Sequence, residues 1–295
     1  MRAGVLFASL AYTLWGLFPL YFKLLASVPA FEIVLHRSLW SLVVVLIVLA
    51  VLRRWAWLPQ AARKPRQLAV FALSAVLLSA NWLLYVWAVN HDRVIEASLG
   101  YFITPLVNVA LGYFALHERP RPAQWLALVL AAAGVAWLAV VAGQLPWIGL
   151  LLGGVFGIYG LLRKTAVLGA LEGLALETML LAPFAGALIA WGAWQGTSAL
   201  ASADPGLIGW LLLSGPLTAL PLLLFAGGAR RLSMTTLGVL QYISPTIQLG
   251  LGVWLYHEPF GGARLVGFAL IWTALALYSA EGWWRFARRP APAPT

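Results

Sequence analysis

The chain has 295 residues, no cysteine and a net charge of +10, yet only 9% of it is charged and 62% is hydrophobic. Soluble domains carry roughly 25% charge and about 45 to 50% apolar residues, so a soluble fold is excluded and the unit to count is the apolar span of about 20 residues. Without cysteine there is no disulfide or thiolate chemistry to place.

Ten segments meet that length. The first, 4–25, follows a basic residue as a signal peptide would. Its apolar stretch exceeds the usual run of about 7 to 15 residues, and the absence of a clean A-x-A site before Pro29 argues for a retained helix. The second, 32–52, opens with Glu32, His36 and Arg37, and the third, 68–89, carries Asn81, Trp82 and Tyr85. The fourth, 96–116, starts at Glu96 and contains YFITPLVN, with Tyr101, Thr104, Pro105 and Asn108 where leucine is the ordinary choice. The fifth covers 123–142, and the sixth, 146–163, is weakened by Gly153, Gly154, Gly157 and Gly160. The seventh, 173–194, holds Glu177; the eighth is 206–227; the ninth, 236–256, contains QYISPTIQ; the tenth is 264–284. The final RRPAPAPT reads as a short disordered cytoplasmic end.

With the N-terminus inside, 15 of the 19 basic residues fall on the cytoplasmic side, the exceptions being Lys23, Arg37, Arg93 and Arg264. That is the bias of the positive-inside rule, and it places both termini in the cytoplasm. It also accounts for the charge without nucleic acid, since no basic face with interleaved aromatics remains.

The ninth span repeats the fourth. YFITPLVNVALGYFALHE (101–118) over QYISPTIQLGLGVWLYHE (241–258) aligns Pro105 with Pro245, Gly112 with Gly252, His117 with His257 and Glu118 with Glu258, while Thr104 meets Ser244 and Asn108 meets Gln248. Upstream, WGLFPLYFK (15–23) faces FGIYGLLRK (156–164), and Glu32 faces Glu172. Each half then holds five spans, 1–142 and 143–285, followed by the tail 286–295. An odd number of spans per half turns the second copy upside down. The fold expected is an all-α membrane protein of ten transmembrane helices in two inverted five-helix repeats, an architecture that places a solute site near the midplane.

The blocks AYTLWGLFPLYFK, VPAFEIVLHRSLWS, NWLLYVWAVN, EASLGYFITPLVN, QWLALVLA, YGLLRK, LETMLLAP and LGVLQYISPT, spread over nearly the whole chain, resemble the RarD-type permeases of the EamA branch of the drug/metabolite transporter superfamily. The resemblance implies the ten-helix inverted-repeat fold, a cytoplasmic-membrane transporter and, through the exporters of that superfamily, efflux. It leaves the cargo open.

On helices, Tyr101, Thr104 and Asn108 share one stripe and Gln241, Ser244 and Gln248 its equivalent. Pro105 and Pro245 deprive the carbonyls of Tyr101 and Gln241 of their donors, and unsatisfied groups in hydrocarbon cost several kcal/mol, so both stripes must face protein or water. Either they line a cavity and grip a solute, or they hold helices together. Asn81, Trp82 and Tyr85 add a face both aromatic and polar, suited to a flat amphipathic molecule or to interfacial anchoring. Ionisable residues within spans are functional hypotheses, so Glu32, His36, Arg37 and Glu177 are candidates for gating or proton coupling, with structural pairing the alternative. Glu96 suits the positive end of its own helix, and the His-Glu pairs are expected to terminate theirs.

HERPR and HEPFG lack the second histidine of a zinc protease, GGVFGIYG spells no phosphate-binding loop, and the only aspartates, Asp92 and Asp204, sit in outer loops. No metal, cofactor or enzymatic role is therefore expected. The reading is a secondary transporter for a small organic metabolite or amphipathic drug, with an uptake permease or facilitator of the same fold as the alternative and a membrane-embedded enzyme, channel or scaffold behind it. Its partners are a small-molecule substrate and the lipid bilayer, with a homodimer left open.

Overall fold

The structure, a computed structural model, describes residues 2–117, 121–202, 204–229, 231–232 and 240–287. Among them every regular element is helical: α1 (Arg2–Gly16), α2 (Phe18–Leu24), α3 (Ala30–Leu52), α4 (Leu58–Ala62), α5 (Pro65–Asn90), α6 (Val94–Leu116), α7 (Pro122–Ala142), α8 (Trp147–Thr165), α9 (Ala170–Trp194), α10 (Pro205–Ala229), α11 (Ile243–Gly250) running into a π turn at Leu251–Leu255, and α12 (Ala263–Ala287). A short 3-10 turn, Ala199–Ser202, bridges α9 and α10. Helices are what an apolar chain must form in lipid, because they satisfy their backbone polar groups internally.

Eight of these helices are long and apolar enough to cross a membrane, the first counting α1 and α2 together. Two shorter apolar helices, Trp147–Arg163 and Ile243–Leu255, stand at the sixth and ninth expected spans. Residues 236–239 of the ninth span, Glu118 and the RRPAPAPT tail lie outside the described residues.

Two prolines have different local effects. Pro19, at the second position of α2, cannot donate to the carbonyl of Trp15, and the first span breaks at Leu17. Pro105 is buried inside α6, which runs on without interruption. His117 ends α6 in a left-handed conformation, and its repeat counterpart His257 adopts the same φ of 53° beyond the π turn. Both histidines thus terminate helices, as their pattern suggested.

The helices pack α7 on α12, α6 on α8 and α11, α3 on α9 and α10, α1 on α10 and α11, and α5 on α8 and α9. Small residues permit the closest approaches. A Cβ on Gly134 would lie 2.7 Å from the Gly267 carbonyl oxygen, and one on Gly100 would lie 2.8 Å from that of Gly149. The largest core cluster gathers Phe18, Phe22, Leu25, Tyr85, Val89, Ile148 and Leu211 from four helices and the segment after α2. It lies at the end of the bundle that carries Lys23, Glu32 and Asp92.

Candidate functional site

The aromatic and polar face of α5 points inward. Asn81 is buried, its amide donating to the Leu152 carbonyl of α8 at 3.0 Å and its Oδ1 accepting from the Tyr101 hydroxyl at 3.3 Å. Tyr101 stacks edge-on with Tyr85, and Tyr85 with Trp82 and Phe22. The Tyr85 hydroxyl is buried with no partner. Trp82, Tyr85, Asn81 and Tyr101 therefore form one cluster, as the sequence grouped the first three.

Arg37 adjoins it. This residue is 5% exposed, and its guanidinium lies over the Trp82 ring, 4.2 Å from the centroid. Among the described residues it has no hydrogen-bond or ion-pair partner, and its Nε is buried. Taking a cation out of water costs several kcal/mol, while a desolvated cation–π contact returns about 2 kcal/mol, so Trp82 alone does not compensate Arg37. Beyond it, Ser38, Ser41, Ser79, Glu177 and Thr178 line a void of about 10 Å³ between α3, α5 and α9, room for one water molecule but no organic solute.

Glu177, 1% exposed, is engaged through one oxygen. Its Oε1 accepts from the Ser74 hydroxyl of α5 at 2.5 Å and lies 3.7 Å from the Arg163 guanidinium of α8, while its Oε2 is buried without a partner. Arg163 also donates to the Gly169 carbonyl and lies over the Phe71 ring. His36 is fully buried, and its Nδ1 accepts from the Trp40 indole at 3.2 Å, which leaves the proton on Nε2, 3.8 Å from Glu32.

The two repeat stripes meet different fates. Gln248 is buried and donates both to the Trp15 carbonyl and to Ser244 Oγ, each at 3.2 Å, with its Oε1 unpartnered. The Trp15 carbonyl is the one that Pro19 leaves without a helical donor, so Gln248 repairs that break. The residue facing Pro19 in the other half is Gly160, which keeps its N–H, and α8 continues unbroken through it. Asn108 has no such carbonyl to serve; it is exposed, its Oδ1 3.5 Å from where a Cβ on Gly157 would sit. Thr104 is buried and bonds its own helix at Gly100, Pro245 is buried, and Gln241 is half-buried. Beside this seam, Phe102, Tyr242, Thr246 and Trp272 line an open groove of about 330 Å³.

Acidic groups tie both ends of the bundle. At one end Glu32 accepts from the Ser198 hydroxyl at 2.5 Å and the Ala199 N–H at 2.7 Å, joining α3 to the turn before α10. At the other, its repeat counterpart Glu172 pairs with Arg54, past the end of α3, at 2.6 Å. Lys23 pairs with Asp92 at 2.5 Å. Glu258, expected to serve only the end of its own span, instead caps α6, its carboxylate accepting from the N–H groups of Val94 and Ile95 at 2.6 and 2.9 Å. Burial holds the Glu258 carboxyl above the ordinary value, against the lowering pull of those two donors and of Lys23.

Sequence reasoning missed Ser74 and Arg163. By charge bias Arg163 is a cytoplasmic boundary residue, although the block YGLLRK places it within one turn of the helix end; Ser74 carries no signal beyond being a hydroxyl in an apolar run.

The comparisons agree with this architecture. The EamA-like transporter family model matches residues 2–140. An uncharacterized transporter of Pseudomonas aeruginosa is 44% identical over 292 residues, covering 99% of this chain and 98% of its own. Protein RarD of Escherichia coli is 44% identical over 277 residues and 94% of each chain, and the chloramphenicol-sensitive protein RarD of Pseudomonas aeruginosa is 31% identical over 287 residues, 95% and 93% of the two. One crystal structure, 20% identical, superposes with a TM-score of 0.62 over 98% of this chain and 100% of that one, a likeness of fold alone. Fold and matches together define a multi-pass helical protein of the transporter class. The chain belongs to the EamA-like transporter family, and its full-length likeness to proteins named RarD bears out the resemblance read from its sequence blocks.

Proposed function

We propose that this protein is a secondary transporter that carries a small organic metabolite or amphipathic drug across the cytoplasmic membrane by alternating access, with export as its working direction. In this reading ten spans form two inverted five-helix repeats, 1–142 and 143–285, with both termini in the cytoplasm.

The observation that carries the reading is an exchange symmetry in the packing. Swapping each span for its repeat counterpart turns the pair α1–α10 into α8–α5, α3–α10 into α9–α5 and α6–α8 into α11–α1, while α3–α9, α6–α11 and α7–α12 map onto themselves; all of these pairs are in contact. Finer details follow the same swap. A Cβ on Gly16 would lie 2.9 Å from Ile247 Cβ, and one on the corresponding Gly157 2.7 Å from Val107 Cγ1. Glu32 and Glu172 are equivalent positions that tie opposite ends of the bundle. Two packings of nearly equal quality, related by that exchange, are what a rocking carrier requires.

The solute is gripped by Trp82, Tyr85, Tyr101 and Asn81 together with the stripes Thr104–Asn108 and Gln241–Ser244–Gln248, and Glu32, His36, Arg37 and Glu177 control passage. Supporting this, the α5 cluster adjoins the α3–α9 contact on which the exchange axis would lie. The relatives' names, transporter and chloramphenicol-sensitive protein, favour organic cargo. Purified protein in liposomes tests the reading: solute-specific flux that saturates supports a carrier, and flux in everted vesicles decides the direction.

A further inference from the structure

We propose that Arg37 is the seat of an anionic group on the transported solute, so that the cargo is an amphipathic organic carboxylate with an aromatic body. The inference rests on the carrier reading and narrows it to a substrate class.

Three observations lead there. First, Arg37 is 5% exposed yet bonds to none of the described residues within hydrogen-bond or ion-pair distance, an arrangement that leaves a guanidinium donor set unspent inside a membrane bundle. Second, no neighbour is bonded to it. Glu177 lines the same void but lies beyond ion-pair distance, its Oε1 shared with Ser74 and Arg163 and its Oε2 unpartnered, and the hydroxyls of Ser38, Ser41 and Thr178 donate to carbonyls of their own helices. Third, Trp82 covers one face of the guanidinium, which leaves the edge, where the N–H donors lie, for a ligand in the ring plane. A planar donor fork matches a carboxylate through two parallel bonds, which neither a neutral amide nor an amine can form.

Aromatic rings extend from that contact. Trp82, which Arg37 faces, packs edge to face on Tyr85, and Tyr85 on Tyr101 and Phe22; the Tyr85 hydroxyl is also buried without a partner. A flat apolar body suits these walls. One guanidinium balances one negative charge, which favours a carboxylate over a doubly charged phosphate. The void in this state is too small for such a body, so α3 and α9 must part before the solute enters.

The test uses one ring with three charges: indole-3-acetate, indole-3-acetamide and tryptamine, with phenylacetate and benzoate as further acids and chloramphenicol as a neutral aromatic. Thermal unfolding of the purified full chain is followed against concentration, since ligand binding raises the midpoint by mass action. At least one acid should raise it, with the matched amide at least about tenfold weaker and the amine inactive. R37Q should abolish the response, and R37K, which keeps the charge but loses the fork, should weaken it by about tenfold. If R37Q does not elute as a single folded species, R37K decides. An amide or amine as effective as the acid, an undiminished response in R37K, or no response to any acid overturns the assignment. Flux in liposomes separates the two claims: wild-type protein that carries chloramphenicol or tryptamine but no acid sinks the anion site and leaves the carrier, whereas protein that carries none of the panel sinks both.

Discussion

Replacing Glu32 by alanine removes both bonds with which its carboxylate holds the turn before α10, from the Ser198 hydroxyl at 2.5 Å and the Ala199 N–H at 2.7 Å. A hydrogen bond to a charged group contributes about 1.5–3 kcal/mol. The Glu32 side chain is 12% exposed, and its donors can turn to water once the tie opens, so about 2 kcal/mol for the pair is a fair working value. That is roughly a 30-fold change in the ratio of closed to open molecules at this end of the bundle. The chain has no cysteine of its own. Ala88→Cys, at a fully buried position in the core cluster that also holds Val28 and Ile33, therefore introduces a single reporter thiol. Labelling of that thiol by a membrane-impermeant maleimide should be up to about 30-fold faster in the E32A background than in the parent, with E32Q intermediate. Equal labelling rates in two folded backgrounds would refute the argument that Glu32 latches this end.

The paired stripes give a contrast: Gln248→Ala should lower stability by about 1–2 kcal/mol, because it strands the Trp15 carbonyl, whereas exposed Asn108→Ala should stay within about 0.5 kcal/mol and act on transport alone, as thermal unfolding and liposome flux would report. Gly16→Ala and Gly157→Ala should each cost about 1–3 kcal/mol and by similar amounts, since a Cβ at either would sit within 3 Å of Ile247 or Val107; a large cost at one and none at the other would count against the equivalence of the halves. The Glu258 carboxyl titrates above its ordinary value of 4.5 because of burial. Its folded value thus exceeds the unfolded one, so its contribution is fully present below the unfolded value and is lost as pH rises through the folded one. Wild-type stability relative to E258Q should accordingly decline as pH rises from about 4.5 and then level off. A relative gain over that window would mean that the two N–H donors on Glu258 outweigh burial.

Much of the architecture was legible because hydropathy and register are local properties. Nine of the ten expected spans match helices to within a few residues, and the described part of the ninth falls inside its expected range. The grouping of Asn81, Trp82 and Tyr85 followed from helical spacing alone. What spacing could not give was the partner across the bundle. Asn108 and Gln248 occupy one repeat position, yet only Gln248 bonds a neighbouring helix, through its amide N–H, because Pro19 frees a carbonyl opposite it and Gly160 does not. Glu258 caps a helix about 160 residues away in sequence, a contact set by the docking of α11 on α6 rather than by its own surroundings. Arg163 and Ser74 converge on Glu177 for the same reason: three helices deliver them, and each run looks ordinary alone.

Carrier action by two exchangeable halves is tested most directly by counterflow in liposomes holding the purified protein. A carrier predicts that uptake of a labelled solute is accelerated when the same unlabelled solute is loaded inside, and that Glu177→Gln, at the polar centre between α3, α5, α8 and α9, slows this exchange while the protein stays folded. Uptake indifferent to the internal solute, or equal exchange in E177Q, would contradict it.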